Sequence, residues 1–176
     1  MDAFKEFIIS IGIMLGLISP QVDPGLNIKI YKTEEAVCFS LEIENGINSD
    51  IEALILAGNK ITVRLEILVD RDKIVKKEIS HSISYNPLDG YYTIEYEETG
   101  KLHHTNNKMA AYTIFTGFYQ VQMLSVEEFT ALRQKSLHFR AAIVMETRAG
   151  FDPAVLWNYK TPEVSFIYKS LREIPY

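Results

Sequence analysis

The chain has 176 residues, of which 47% are hydrophobic and 23% charged, and its formal net charge at pH 7 is −5. A chain of this length can bury a sizeable core as one domain without disulfides or metal. Its longest run of basic residues is Lys76-Lys77, so it lacks the basic patch that nucleic acid or an anionic membrane surface requires. The single cysteine, Cys38, excludes an intramolecular disulfide. We therefore expect one globular domain that does not bind nucleic acid.

An apolar run from Phe7 to Ile18 follows Lys5 near the N-terminus. Its length fits the roughly 7 to 15 apolar residues of a signal peptide better than the roughly 20 of a membrane-spanning helix. We predict that residues 1–22 are a signal peptide or an N-terminal membrane anchor. The protein is then exported, periplasmic or anchored in the cell envelope, and it meets the membrane only through this segment. A buried helix of the folded domain is the alternative.

The first predicted strands are a hairpin. Apolar residues alternate with polar ones at 26–31 and again at 37–43, with a polar turn between the two segments. Asn48 or Ser49 then caps a short helix, and Gly58 lies just past its end. Such a helix can close one end of a sheet.

A three-stranded meander is predicted from 61 to 97, where apolar residues alternate in three consecutive segments. The turn sequence Asn86-Pro87-Leu88-Asp89-Gly90 separates the second segment from the third. Strands joined this briefly usually pair as neighbours. Residues 101–105 follow as a short edge strand.

A second helix is predicted from about Asn107 to Tyr119. Four apolar residues recur in it at helical spacing, which favours core packing over a cofactor site. They are Met109, Tyr112, Phe115 and Phe118.

A capping box marks the next predicted helix, which begins at Val126. Ser125 can accept from the amide of Glu128 while the Glu128 carboxylate reaches back. Alternation then predicts a long central strand at 137–146 and a last strand at 164–168.

The segment between these two strands contains Phe151, Trp157 and Tyr159, and we predict that it is a connection rather than a strand. Exposed aromatic residues on loops are common contact residues. A binding surface at these three residues is one hypothesis. The other places Trp157 in the core.

These elements predict an α+β, β-rich fold, an antiparallel sandwich with immunoglobulin-like packing and two or three short helices filling the ends. No repeat or low-complexity linker divides the chain. We expect a single domain at 23–170 and a tail at 171–176.

Few residues of the chain suggest catalysis. The four histidines, His81, His103, His104 and His138, show no metal-ligand spacing. His81 is unusual, because its parity places it on the apolar face of its strand, where we expect a buried neutral imidazole bonded to a hydroxyl. Nucleophile elbows, phosphate loops and dinucleotide motifs are missing from the sequence, and Cys38 has no activating neighbour. We predict no enzyme activity, no metal and no cofactor.

The stretch from Leu26 to Tyr168 resembles a bacterial family named domain of unknown function four-three-nine-zero. The resemblance rests on the strand 61–69, on Ile83-Ser84-Tyr85-Asn86-Pro87-Leu88 followed by Tyr92, and on the strand 139–145. It implies a short bacterial envelope protein, exported or membrane-anchored, with no active-site residues to carry over.

The favoured function is a non-catalytic envelope module that binds a protein partner or an apolar small molecule. A deep pocket lined by Tyr112, Phe115 and Phe118 would favour the small molecule, and a flat exposed patch around Trp157 would favour the protein partner. The alternative is a hydrolase or metal-dependent enzyme with a site around His81 and His103.

Overall fold

The computed structural model describes residues 25–70, 75–125, 127–128, 136–149, 152–160 and 164–167. The predicted signal peptide at 1–22, the candidate contact residue Phe151 and the predicted tail at 171–176 lie outside the described residues. None of the helices in the described part of the chain is long and apolar enough to cross a membrane.

The described chain forms ten strands and two helices. In order they are β1 Gly25–Lys32, β2 Ala36–Glu44, α1 Ser49–Leu56, β3 Ile61–Asp70, β4 Val75–Asn86, β5 Tyr91–Tyr96, β6 Lys101–Thr105, α2 Lys108–Thr116, β7 Gly117–Ser125, β8 Ser136–Ala149, β9 Asp152–Lys160 and β10 Val164–Ile167.

These strands build two antiparallel sheets. The small sheet has the order β1-β2-β7, and the large sheet has the order β10-β8-β3-β4-β5-β6, with β9 also paired to β8. The predicted hairpin is β1 and β2, and the predicted meander is β3, β4 and β5. The β-rich, antiparallel, sandwich-like α+β fold with short helices is therefore confirmed.

The core lies between the sheets, as the alternation in β3 predicts. The inward residues of β3 from Ile61 to Val69 are buried, and Phe39 of the small sheet meets Phe139 of the large sheet with ring centroids 4.9 Å apart. Burial of such side chains stabilises each by about 1.5–3 kcal/mol relative to exposure. This contact is one of those that pack the small sheet against the large one.

The helix ends follow local chemistry. Asn48 caps α1 by accepting from the amides of Asp50 and Ile51, and Gly58 past the helix has a φ of +84°, which a side chain would disfavour. The Ser125 and Glu128 capping box also forms, since Glu128 N–H donates to Ser125 Oγ and Ser125 N–H donates to the Glu128 carboxylate. The helix predicted beyond it lies mostly outside the described residues.

The helix prediction from Asn107 to Tyr119 is wrong at its end. The helix α2 stops at Thr116, and Gly117 begins β7, which pairs with β2 so that Phe118 lies opposite Leu41. Helical spacing of apolar residues favoured a longer helix, but pairing with a strand far away in the sequence decides the conformation here.

The connection predicted around Trp157 and Tyr159 is also wrong. Both residues lie in β9, where Trp157 is opposite Met145 and Tyr159 is opposite Ile143. The segment begins with Asp152-Pro153, which reads as a loop, but a proline is tolerated at the first residues of a strand.

Candidate functional site

A cleft of about 450 Å³ opens between β4 of the large sheet and β7 of the small sheet. Strand β5 pairs with β4 only from His81 to Asn86, so the first half of β4 keeps one side without a strand partner among the described residues. Strand β7 is one of the two outer strands of the small sheet in the described part of the chain. We call this space the His81 cleft. It is lined by Lys77, Glu78, Ile79, His81, Tyr96, Glu98, Gly117, Phe118, Tyr119, Gln120, Val121 and Gln122.

His81 forms the base of the cleft. The alternation of β4 turns it inward, as predicted, and it is 4% exposed. Its imidazole is stacked on Phe118, with centroids 4.3 Å apart, and meets Tyr96 edge-on at 4.7 Å. Its Nδ1 lies 3.3 Å from the carbonyl oxygen of Phe115. The hydrogen-bond partner is therefore a backbone carbonyl and not the hydroxyl that we expected.

This contact fixes the tautomer of His81. A carbonyl oxygen only accepts, so Nδ1 carries the hydrogen and Nε2 is left as an acceptor when the ring is neutral. Burial lowers the pKa of His81, and it outweighs the opposing effects of Glu98 and of the Phe115 bond. Nε2 lies 3.9 Å from Glu98 Oε1. The base of the cleft thus presents a neutral acceptor beside a carboxylate.

The charged side chains that line the cleft are mainly acidic, with Glu78 and Glu98 against Lys77. Lys77, its one lysine, donates from Nζ to the backbone oxygen of Gln122 at 2.6 Å. Glu78 lies 3.4 Å from the Nε of Arg64. Among the described residues, no Lys or Arg forms an ion pair with Glu98. Burial raises the pKa of Tyr96, and Glu98 raises it further.

The lip of the cleft has an unusual backbone. Gln120 has a φ of +53°, a left-handed conformation that costs a non-glycine residue about 1–2 kcal/mol. The register between β2 and β7 shifts beside it, and Gln120 N–H donates to Ser40 Oγ at 3.1 Å. Bulges of this kind bend a strand and redirect its side chains. The bulge thus lies within the lining of the cleft, at Gln120.

A second cleft of about 360 Å³ continues the first one along β7. Lys77 and Gln122 line both clefts, so the contact between their side-chain nitrogen and backbone oxygen stands at the boundary. The second cleft is lined by Glu35, Ala36, Lys77, Gln122, Met123, Leu124 and Ser125. The two clefts together follow β7 from Gly117 to Ser125.

The structure separates the aromatic residues predicted in the second helix. Phe118 lines the His81 cleft, with its ring against His81. Phe115 is fully buried and acts through its carbonyl. Tyr112 packs edge-on against Tyr92 at 5.8 Å, and burial raises its pKa.

Trp157 and Tyr159, the predicted contact residues of β9, line neither cleft. Trp157 is buried in β9, and its Nε1 donates to the carbonyl of Gly46 at 3.0 Å. Tyr159 is half-buried in the same strand and packs against the core. Trp157 therefore stabilises the join between β9 and the loop after β2.

The histidines are scattered. His103 and His104 are exposed on β6, where His104 Nδ1 lies 3.0 Å from Thr93 Oγ1, and His138 lies on β8. Within the described ranges, no group of three His, Cys, Asp or Glu side chains is placed to hold a metal ion. Cys38 is buried, and burial raises its pKa.

The cleft could not be predicted from the sequence, because its two sides come from segments about 40 residues apart. The start of β7, one of these segments, was predicted as the end of a helix. The usable signal was the inward parity of His81 within an otherwise apolar face. A buried polar side chain needs a partner, and that partner, the end of α2, leads directly into β7.

Comparison with known proteins adds no relative: no protein-family model matches the chain, and searches of curated proteins and of solved structures find no similar protein.

Proposed function

We propose that this protein is a non-catalytic binding module of the bacterial envelope that recognises its ligand or partner in the His81 cleft. The observation that carries the proposal is that apolar side chains and hydrogen-bond acceptors line one cleft. Phe118, Ile79 and Val121 supply the first, and His81 Nε2 and Glu98 supply the second.

The size of the cleft suits recognition. Its volume of about 450 Å³ falls in the range of roughly 300–1,000 Å³ of small-molecule sites, which combine apolar walls with a few placed polar groups. Tyr96 and Tyr119 add aromatic faces, which attract cations. The chemistry fits a group that joins an apolar or aromatic body to a cationic or N–H donor. A protein partner offers this group as a basic side chain, and a small molecule offers it as an amine.

The envelope part of the proposal rests on the sequence. The apolar run from Phe7 to Ile18 has the length of a signal-peptide core. Fractionation of the native host with N-terminal sequencing tests it. Recovery from the envelope supports export, and recovery from the cytosol with Met1 intact contradicts it.

The recognition part is tested with phenethylammonium as the probe, titrated into the ¹⁵N-labelled protein at millimolar concentration. We expect amide shifts concentrated at residues 77–81 and 117–122. The Glu98→Gln variant should bind several-fold more weakly, because it removes the carboxylate beside His81. Glu97→Gln is the matched control, since Glu97 lies towards Lys60, 3.9 Å from its Nζ. The absence of shifts at the cleft, or equal affinity of both variants, would contradict the proposal.

The enzyme alternative has one observation in its favour, since His81, Tyr96 and Glu98 line the same cleft. His103, the other residue of that hypothesis, is exposed on β6 and does not line it. The ligand chemistry of the cleft therefore supports binding more directly than hydrolysis.

A further inference from the structure

The outer edge of β7 carries backbone groups that are not hydrogen-bonded to a neighbouring strand in the described structure. The clearest case is the carbonyl of Gln122, whose partner is the side-chain ammonium of Lys77 and not an N–H of a neighbouring strand. An exposed strand edge is a template for pairing with another chain, and natural proteins often protect such an edge with lysine. Lys77 thus protects an edge that is otherwise ready to pair.

A second strand edge faces the first across the His81 cleft. In β4, the Ser80 carbonyl accepts from the Glu97 amide on the side away from β3. Backbone groups alternate in direction along a strand, so those of Lys76 and Glu78 point to the same side. No strand pairs with them there among the described residues. Both walls therefore offer main-chain donors and acceptors.

The space along β7 has the length of an extended peptide. The strand has 9 residues, which corresponds to about 30 Å at the rise of a strand. The two clefts run along it and meet at Lys77 and Gln122. A ligand that moved the Lys77 side chain aside would find one continuous groove.

The charge of the groove selects the kind of peptide. Its charged lining consists of Glu35, Glu78 and Glu98 against Lys77. Glu98 forms no ion pair with a lysine or arginine in the described part of the chain. Basic side chains therefore complement the groove.

We infer that the two clefts along β7 receive an extended, basic peptide of a partner protein by β-strand addition, an inference that rests on the His81 cleft being the recognition site. The peptide backbone replaces Lys77 as the partner of the Gln122 carbonyl and pairs along β7. One alternating set of side chains enters the groove, where a lysine or arginine meets Glu98 and an apolar residue meets Phe118. Main-chain bonds supply affinity and these positions supply selectivity.

The test uses a fluorescent, acetylated heptapeptide that alternates lysine with valine, titrated into the full chain and followed by anisotropy. A matched peptide carries methyl groups on alternate backbone nitrogens, which removes the N–H donors of one edge and keeps the composition and charge. In a second methylated peptide, the other alternate set of backbone nitrogens carries the methyl groups, so the N–H donors of the opposite peptide edge are removed. We expect at least one of them to bind weaker by on the order of tenfold or more, since several hydrogen bonds are lost. Equal affinity of all three peptides would overturn strand addition.

Two variants and one further peptide complete the test. Lys77→Met should bind the peptide several-fold more tightly, because it frees the Gln122 carbonyl and removes a positive charge, whereas Glu98→Gln should bind more weakly. A peptide with glutamate in place of lysine should not bind, and equal binding would overturn the choice of a basic partner. If the apparent affinity falls as the protein concentration rises and sedimentation shows dimers, a second copy of the chain occupies β7. This result would also overturn the choice of a basic partner.

The two probes distinguish failure of strand addition from failure of the proposed function. If phenethylammonium shifts the cleft residues but the lysine–valine peptide does not bind, the His81 cleft stands as a site and strand addition is contradicted. If neither probe binds, both are contradicted.

Discussion

The Nδ1 of His81 donates to the carbonyl oxygen of Phe115 at 3.3 Å, and this bond ties the centre of the large sheet to the last turn of α2. Phe118 follows within the next residues and stacks on the same imidazole. One side chain therefore positions the start of β7 and forms the base of the cleft. The ring leaves only Nε2 for a ligand.

Stability should fall in mild acid because of His81. Burial lowers its pKa in the folded state, so the unfolded chain binds the proton more readily. The stabilisation that comes from keeping His81 neutral in the folded state is complete above pH 6.5, the ordinary pKa of histidine. It is lost as the pH falls below 6.5 towards the lower pKa of the folded state. The limiting slope is about 1.4 kcal/mol per pH unit.

Urea unfolding between about pH 7.5 and about pH 5 measures this effect. His81→Asn is the control, because its amide can still donate to Phe115 while the titrating group is gone. The variant should be less stable at neutral pH and should lose less stability on acidification. Parallel slopes for the two proteins would rule out His81 as the cause.

Replacing Gln120 with glycine should stabilise the protein. Its φ of +53° costs about 1–2 kcal/mol with a side chain and little with glycine, which offsets the added backbone entropy of the unfolded glycine. We expect a gain of about 0.5–1 kcal/mol in the free energy of unfolding.

The matched control for Gln120 is Gln122→Gly in the same strand, where φ is not positive and glycine should cost about 0.5–1 kcal/mol. Chemical denaturation of both variants measures the difference. Destabilisation by both to the same extent would mean that the backbone at Gln120 is not strained.

Replacing Arg64 should destabilise the protein more than replacing Lys60. It donates to Glu146 at 2.7 Å, and the side chain of Glu146 is only 9% exposed, so Arg64→Met leaves a buried carboxylate without its partner. We expect a loss of about 1–3 kcal/mol, between the values for exposed and for buried pairs. Lys60→Met removes an exposed pair with Glu95 and should cost less than about 1 kcal/mol. Thermal unfolding of the two variants measures the loss of stability in each. Equal losses would contradict the larger contribution expected from the Arg64–Glu146 pair.

Gly46 should not tolerate a side chain. A Cβ there would lie 2.7 Å from Ile43 Cγ2 and 3.4 Å from the Trp157 ring, whose Nε1 bonds to the Gly46 carbonyl. Gly46→Ala should therefore cost about 1–3 kcal/mol through overpacking. Gly25→Ala is the matched control, because its Cβ would lie 3.2 Å from both Cβ and Oε2 of Glu44, a looser contact than the 2.7 Å at Gly46. A similar, small effect of both substitutions in denaturant unfolding would show that the packing at Trp157 can adjust.

The sequence could predict elements whose pattern is local. The alternation in β3, the Asn48 cap and the inward parity of His81 each follow from neighbouring residues, and the structure confirms them. The strand at Gly117–Ser125 could not be predicted in the same way, because Phe118 continues the helical spacing of the residues before it. Pairing with β2 overrides that local pattern. The cleft depends on that long-range pairing, and so the candidate site was out of reach of the sequence.

Hydrogen exchange of the backbone amides, measured by NMR with and without the lysine–valine peptide, tests recognition at β7 most directly. Strand β6 is an outer strand of the large sheet among the described strands, lines neither cleft and serves as a control within the same molecule. We predict slower exchange at outward-facing amides of Gly117–Ser125 and near Lys76 and Glu78, with no change in β6. Unchanged exchange in β7, or equal slowing in β6, would contradict recognition of the peptide by strand addition at β7.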